Sequence, residues 1–243
     1  MLNHRLPHIA VALSLLLLPL TLLAQAAEPA SQPAEKAVDP SFVPVADDPN
    51  LPRVLLIGDS ISMGYTLPVR QMLNGKANVH RPAINCGPTQ RGIDQLDKWL
   101  GDGKWDVIHF NFGLHDLSYK DTAGKAVDPS KGKQLAPLDV YERNLRELVG
   151  RLKKTGAKLI WATTTPVPAD SPGRTGGDEL RYNEVAARVM AENGIDLIDD
   201  LHATVTSATT PIQRPKNVHF TDEGYRELAK SVAASIERAL SQK

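Results

Sequence analysis

The sequence predicts an α/β protein in which a parallel sheet is covered by helices on both faces. Three observations lead there. Short apolar runs ending in glycine or a polar turn recur along the chain, as strands buried on both faces do. Between them lie segments whose apolar residues repeat at helical spacing. The chain has 243 residues, enough for one sizeable domain of this kind and short for two.

Residues 1–26 stand apart from the pattern. Arg5 gives a positive start, residues 9–23 are almost wholly apolar, and Ala24-Gln25-Ala26 supplies the small-x-small site that a signal peptidase reads. The run is shorter than the ~20 residues that span a bilayer. It reads as a cleaved export signal, with an uncleaved anchor as the alternative. The expectation is an exported protein, periplasmic or secreted, with no stable membrane span after cleavage. Residues 27–50, rich in Pro, Ala, Ser and Asp, read as a polar arm or linker. Residues 51–243 form the domain.

Within it, Arg53-Val54-Leu55-Leu56-Ile57 before Gly58 predicts the first strand. Residues 107–112 and 158–163 read the same way, residues 195–198 more weakly, and residues 79–84 are interrupted by Pro82. Helices are predicted over residues 139–154, 179–192 and 222–240. In the first of these Tyr141, Leu145, Leu148, Val149 and Leu152 share a face. Weaker helical patterns cover residues 67–73 and 92–100. Strands alternating with helices imply crossover connections, and functional groups then gather at the carboxyl ends of the strands.

Composition excludes several classes. Lys+Arg and Asp+Glu both number 28, without the basic surplus of a nucleic-acid binder. Hydrophobic residues make up 42%, ordinary for a globular protein and too many for a disordered one. Export processing would remove only Arg5 among the charged residues, so no net field is expected to select a substrate. That role is expected of two polar loops, residues 117–137 and 163–178, whose length suggests function. The single cysteine, Cys86, forms no intramolecular disulfide, and no zinc-site spacing is present. Cys86 reads as a small buried filler rather than a nucleophile.

The strand-end loops carry the chemistry. Gly58-Asp59-Ser60 follows the first strand, where a hydroxyl beside a helix N-terminus would have backbone donors and a partial positive charge nearby. A plain turn would use the same residues. Gly113-Leu114-His115-Asp116 follows the third strand, and Asn217-Val218-His219-Phe220 precedes the last helix. With these motifs in this order, the chain resembles the SGNH/GDSL hydrolase superfamily over about residues 54–240. The resemblance implies a three-layer αβα, flavodoxin-like fold with a five-stranded parallel sheet. It implies ester or thioester hydrolysis with no metal or organic cofactor. It places the nucleophile on Ser60, the base on His219, and oxyanion donors on the amides of Ser60 and Gly87.

Two departures from the family pattern follow. The family's oxyanion asparagine is replaced by His115. A neutral imidazole can donate one N–H there, or Asn111 or a backbone amide donates instead. The acid expected three residues before His219 is Lys216, which cannot accept from an imidazole. A backbone carbonyl, the amide of Asn217, or Asp199 or Asp200 after the last strand must orient the ring. A Ser60–His219 dyad with non-carboxylate support is favoured, and Asp199 or Asp200 comes second. Asp59, Gly113 and Asp116 are expected to brace the loops, and Thr221 and Asp222 to cap the last helix. The predicted activity is that of a serine esterase removing short acyl groups from a carbohydrate or other polar, small-molecule or polysaccharide substrate. A lipid or thioester hydrolase and a non-catalytic glycan-binding or assembly protein are the rival readings.

Overall fold

The computed structural model describes residues 1–2 and 38–242. The export-signal segment and the first part of the arm lie outside the described residues. The elements run β1 (Arg53–Ile57), α1 (Ser60–Met72), β2 (Asn78–His80), α2 (Thr89–Leu100) and β3 (Val107–Phe110). They continue through β4 (Tyr119–Lys120), β5 (Lys133–Gln134), α3 (Leu138–Lys153), β6 (Lys158–Ala162) and α4 (Asp178–Glu192). The chain ends with β7 (Ile198–Asp199), α5 (Leu201–Thr206) and α6 (Asp222–Ser241).

Five strands form one parallel sheet in the order β2-β1-β3-β6-β7. This is the expected flavodoxin-like arrangement. The chain leaves β1 towards β2 and then returns to pair β3 on the other side of β1. Loops following β1 and β3 therefore open a crevice at the point where winding reverses. Helices α1, α5 and α6 pack together in one layer and α2, α3 and α4 in another, with the sheet between. The interior residues of β1, β3 and β6 are buried, as continuous apolar runs in a parallel sheet require. Phe110 and Trp161 meet edge to face across β3 and β6, with ring centroids 5.2 Å apart.

One helix is longer than its sequence suggests. The pattern for residues 67–73 extends to a helix starting at Ser60. Asp59 caps it by accepting from the Ile61 amide at 2.9 Å, and Ile61, Tyr65 and Val69 form its buried stripe. Pro68 lies inside this helix, where its missing N–H and the lack of a side chain on Gly64 hide the periodicity. Gly64 is required by packing. A Cβ there would lie 2.1 Å from the Tyr225 ring on α6.

The polar loops dock on each other. In the first, β4 and β5 pair antiparallel, and the Tyr119 amide donates to the Gly173 carbonyl of the second at 2.8 Å. Residues 39–50 also touch the sheet. The Asp48 amide donates to Asn78 Oδ1 at 2.9 Å, and Asp47 pairs with Arg53 at 2.9 Å.

Candidate active site

Ser60 is the first residue of α1, directly beyond the end of β1. Gly58 is needed for this sharp exit, since a Cβ would lie 2.8 Å from that of Ser62. The helix N-terminus places free backbone N–H groups and a partial positive charge at the hydroxyl.

His219 comes from the other side of the crevice. Its loop is held by a bridge between Gln213 and Phe220, and the Arg214 amide donates to the His219 carbonyl at 2.9 Å. Within that loop Lys216 adopts φ 55°, a left-handed conformation that closes a tight turn. The turn sets Asn217 Oδ1 3.0 Å from the His219 backbone amide and 2.8 Å from His219 Nδ1. This double contact fixes the chemistry. A backbone N–H only donates, so the Asn217 atom facing it is the carbonyl oxygen. That oxygen must also accept from Nδ1, which therefore carries the ring proton. The lone pair is left on Nε2, 2.9 Å from Ser60 Oγ. Burial lowers the His219 pKa, and Arg174 and Arg214 push it further down against the opposing pull of Asp59. The ring is thus held neutral, as a general base must be.

The two carboxylates weighed as supports for His219 lie elsewhere, which corrects that alternative. Asp199 Oδ2 pairs with buried His109 Nε2 at 2.9 Å, and its other oxygen accepts from Ser231 at 2.5 Å. Asp200 caps α5, accepting from the Ala203 amide at 2.9 Å and from Thr163 Oγ1 at 3.0 Å. Both are taken up by tying β7 to neighbouring elements.

The loop before α2 brings Gly87 into place. Its left-handed φ of 63° suits glycine, and a Cβ would lie 2.9 Å from an Arg91 guanidinium nitrogen. The Gly87 N–H, expected to be free for an oxyanion, donates instead to Asn85 Oδ1 at 2.9 Å. Buried Arg81 clamps this loop to β1, donating to the carbonyls of Gly58 at 3.3 Å and Ile84 at 3.1 Å. Cys86 is fully buried, and burial raises its thiol pKa to about 11, which makes it a poor nucleophile at neutral pH.

After β3, a Cβ on Gly113 would lie 2.1 Å from Thr164 Oγ1, so that position needs glycine. His115 follows. Its carbonyl accepts from Ser118 Oγ at 2.7 Å, while its ring has no protein hydrogen-bond partner among the described residues. Burial lowers its pKa against the opposing pull of Asp59, and Arg174, Arg91 and Lys120 lower it further, leaving a neutral imidazole with one N–H to give. Asn111, the alternative donor, has its amide nitrogen on the Ala162 carbonyl at 2.7 Å. Asp116 is fully buried and accepts from Thr89 N at 3.0 Å and Thr89 Oγ1 at 2.5 Å. Burial raises its pKa to about 7. It joins the β3 loop to the start of α2, while Asp59 braces the Ser60 turn.

Sequence reasoning missed three residues here. Arg81 and Arg174 lie outside any motif, and Asn85 stands in the block Asn85-Cys86-Gly87 with nothing local to mark a role for it. Arg174 reaches back from the second polar loop to donate its Nε proton to the Leu114 carbonyl at 3.0 Å, next to His115. A groove of about 810 Å³ opens beside Arg91, with Ile84, Pro88, Leu135 and Val140 among its walls. Among the described residues no three His, Cys, Asp or Glu side chains converge as a metal site, and no helix is long and apolar enough to cross a membrane.

The profile of the GDSL-like Lipase/Acylhydrolase family matches residues 56–227. No curated protein matches the chain. Among solved structures, the lipase/acylhydrolase from Enterococcus faecalis is similar with a TM-score of 0.64 at 19% identity, over 77% of this chain and 96% of that one. An acetylxylan esterase from Geobacillus stearothermophilus is similar with a TM-score of 0.61 at 19% identity, over 79% of this chain and 95% of that one. At these identities the two structures establish the shared fold.

Proposed function

Because the chain belongs to the GDSL-like lipase/acylhydrolase family, and so to the ester-hydrolysing serine hydrolases, we propose Ser60 as its nucleophile and His219 as its base. In this reading the substrates are short acyl esters of a carbohydrate or other polar alcohol. The observation that carries it is the contact of 2.9 Å between Ser60 Oγ and the unprotonated Nε2 of His219.

The hydroxyl attacks the ester carbonyl carbon as its proton passes to Nε2, and the carbonyl electron pair moves onto oxygen. Collapse of that oxyanion breaks the bond to the alcohol, which leaves with the proton from Nε2. Water then gives a proton to His219 and attacks the acyl-Ser60. The acid departs and the hydroxyl regains its proton. The Ser60 amide, the His115 imidazole and the Gly87 amide (once Asn85 turns away) hold the oxyanion. Removing one such donor raises the barrier by about 2.7–4 kcal/mol.

The polar character of both loops supports a hydrophilic substrate, and the similar fold of an acetylxylan esterase agrees with it. The apolar N-terminal run and Ala24-Gln25-Ala26 support export. A longer acyl chain is the second reading. It rests on Ile84 and Leu135, 42% and 45% exposed beside the groove. The test is hydrolysis of p-nitrophenyl acetate against p-nitrophenyl palmitate, with labelling of Ser60 by a fluorophosphonate. Faster acetate turnover, abolished in Ser60→Ala, is expected. Equal rates in wild type and Ser60→Ala would overturn the assignment, and a preference for palmitate would favour the second reading.

A further inference from the structure

The peptide unit that carries His219 is held at both ends. Its N–H, which belongs to His219, donates to Asn217 Oδ1 at 3.0 Å. Its C=O, which belongs to Val218, accepts from Gln213 Nε2 at 3.2 Å. The same nitrogen donates its other proton to the Pro166 carbonyl at 2.8 Å. Backbone carbonyls only accept, so the Gln213 atom between them is the amide nitrogen. Two side-chain amides thus fix the plane from which the imidazole hangs.

Gln213 stands on a firm base. It bridges to Phe220, and the Ile212 carbonyl before it accepts from the Thr221 amide at 3.0 Å and from Thr221 Oγ1 at 3.1 Å. A Cβ on Gly224 of α6 would lie 2.2 Å from that carbonyl, so the strand of the turn is seated directly on the helix. The other end of the link, Pro166, belongs to the second polar loop. That loop also holds the peptide before His115, through Arg174 Nε on the Leu114 carbonyl at 3.0 Å. One loop therefore reaches the backbone on which both histidines are mounted. It meets the His219 turn a second time through Asp170 and Lys216, 3.4 Å apart, but both side chains are 72% exposed. An ion pair that open is worth little. A partly buried amide whose loss would leave two carbonyls unpaired is worth more.

We propose that Gln213 is a positioning residue for His219 and couples the second polar loop to it. With Lys216 where an acid is expected, orientation of the ring falls to Asn217. Asn217 Oδ1 can hold Nδ1 and the backbone N–H together only while that peptide keeps its plane. Gln213 keeps it, and a displacement of the loop at Pro166 is passed through the same amide to the ring. The kinetic consequence rests on the esterase reading above, in which His219 is the base.

The test uses two variants of the full chain. Gln213→Met keeps the length of the side chain and loses both donors, and Gln213→Glu keeps the shape and turns oxygens towards both carbonyls. On p-nitrophenyl acetate each should lower kcat by about tenfold, a scale that one or two neutral hydrogen bonds reach, with KM unchanged. NMR of the 15N-labelled protein should show the Nδ1 proton of His219 exchanging with solvent about tenfold faster, since the same bonds restrain it. Asp170→Asn breaks the exposed pair, and asparagine tolerates the left-handed backbone there (φ 61°), so it should leave both readouts at the wild-type level. Wild-type kcat in both Gln213 variants, a loss carried by KM alone, or unchanged Nδ1 exchange would overturn the role. A loss in Asp170→Asn as large as in Gln213→Met would move the coupling to the ion pair and overturn it as well. Faster Nδ1 exchange in the variants of a chain that cleaves no ester as wild type would leave the positioning role standing and remove the esterase reading.

Discussion

Asn217 Oδ1 lies within hydrogen-bonding distance of both the backbone amide and Nδ1 of His219, at 3.0 and 2.8 Å. One neutral oxygen thus sets the tautomer of the ring that faces Ser60. A carboxylate in that place would add charge, and the amide adds only direction.

Asn217→Ala should lower kcat/KM by about 10²-fold or more, within the ~10⁴-fold cost of a histidine held in the wrong tautomer. Asn217→Asp should keep activity and raise the pH at which it develops, because an anion beside the ring stabilises its protonated form. A pH profile of kcat/KM for both variants checks this. An alanine variant as active as wild type would remove Asn217 from the mechanism.

Burial, Arg174 and Arg214 all favour the neutral ring of His219, whose pKa falls below the ordinary 6.5. Activity requires the unprotonated form, so it should rise with pH and reach half its plateau below pH 6.5. Replacing Arg214 by Gln removes one unfavourable charge and should move that midpoint up. A midpoint above 6.5 in wild type would contradict the electrostatics of the crevice.

Asn85 occupies the Gly87 amide that an oxyanion would use. Asn85→Ala leaves that donor free, and kcat/KM should rise by about threefold to tenfold, the worth of one neutral hydrogen bond that no longer has to be broken. Steady-state kinetics on p-nitrophenyl acetate reads the change. A fall in rate would mean that Asn85 shapes the loop instead of blocking it.

Asp116 keeps its proton in the folded protein up to about pH 7, whereas an unfolded aspartate loses it near 3.9. Between those values the folded state binds more protons, so stability contributed by this group falls as pH rises. Asp116→Asn, which cannot ionise, should therefore gain Tm relative to wild type on going from pH 4 to pH 7. Thermal melts at the two pH values decide it. A difference independent of pH would show that folding does not raise the Asp116 pKa.

Much of this was legible in the sequence. The run from Arg53 to Ile57 ending at Gly58 marks β1, and the spacing of Tyr141, Leu145, Leu148 and Leu152 marks α3, because burial by a sheet or a helix layer leaves a period in the chain. The extent of α1 was hidden. Pro68 and Gly64 look like breakers until Tyr225 of α6 is seen to fill the space above Gly64. Helix α5 is only Leu201–Thr206, too short to show a period, so its capping residue Asp200 looked available for catalysis.

Apart from Gly87, which the family resemblance supplied, the sequence by itself determined the layered α/β fold, the loop positions of Ser60, His115 and His219, and the absence of an acid three residues before His219. These follow from local pattern and short-range spacing. Only the tertiary structure decided that Asn217, and neither Asp199 nor Asp200, holds the His219 ring. The choice turns on a left-handed residue at Lys216 and on a buried histidine elsewhere in the sheet that claims Asp199.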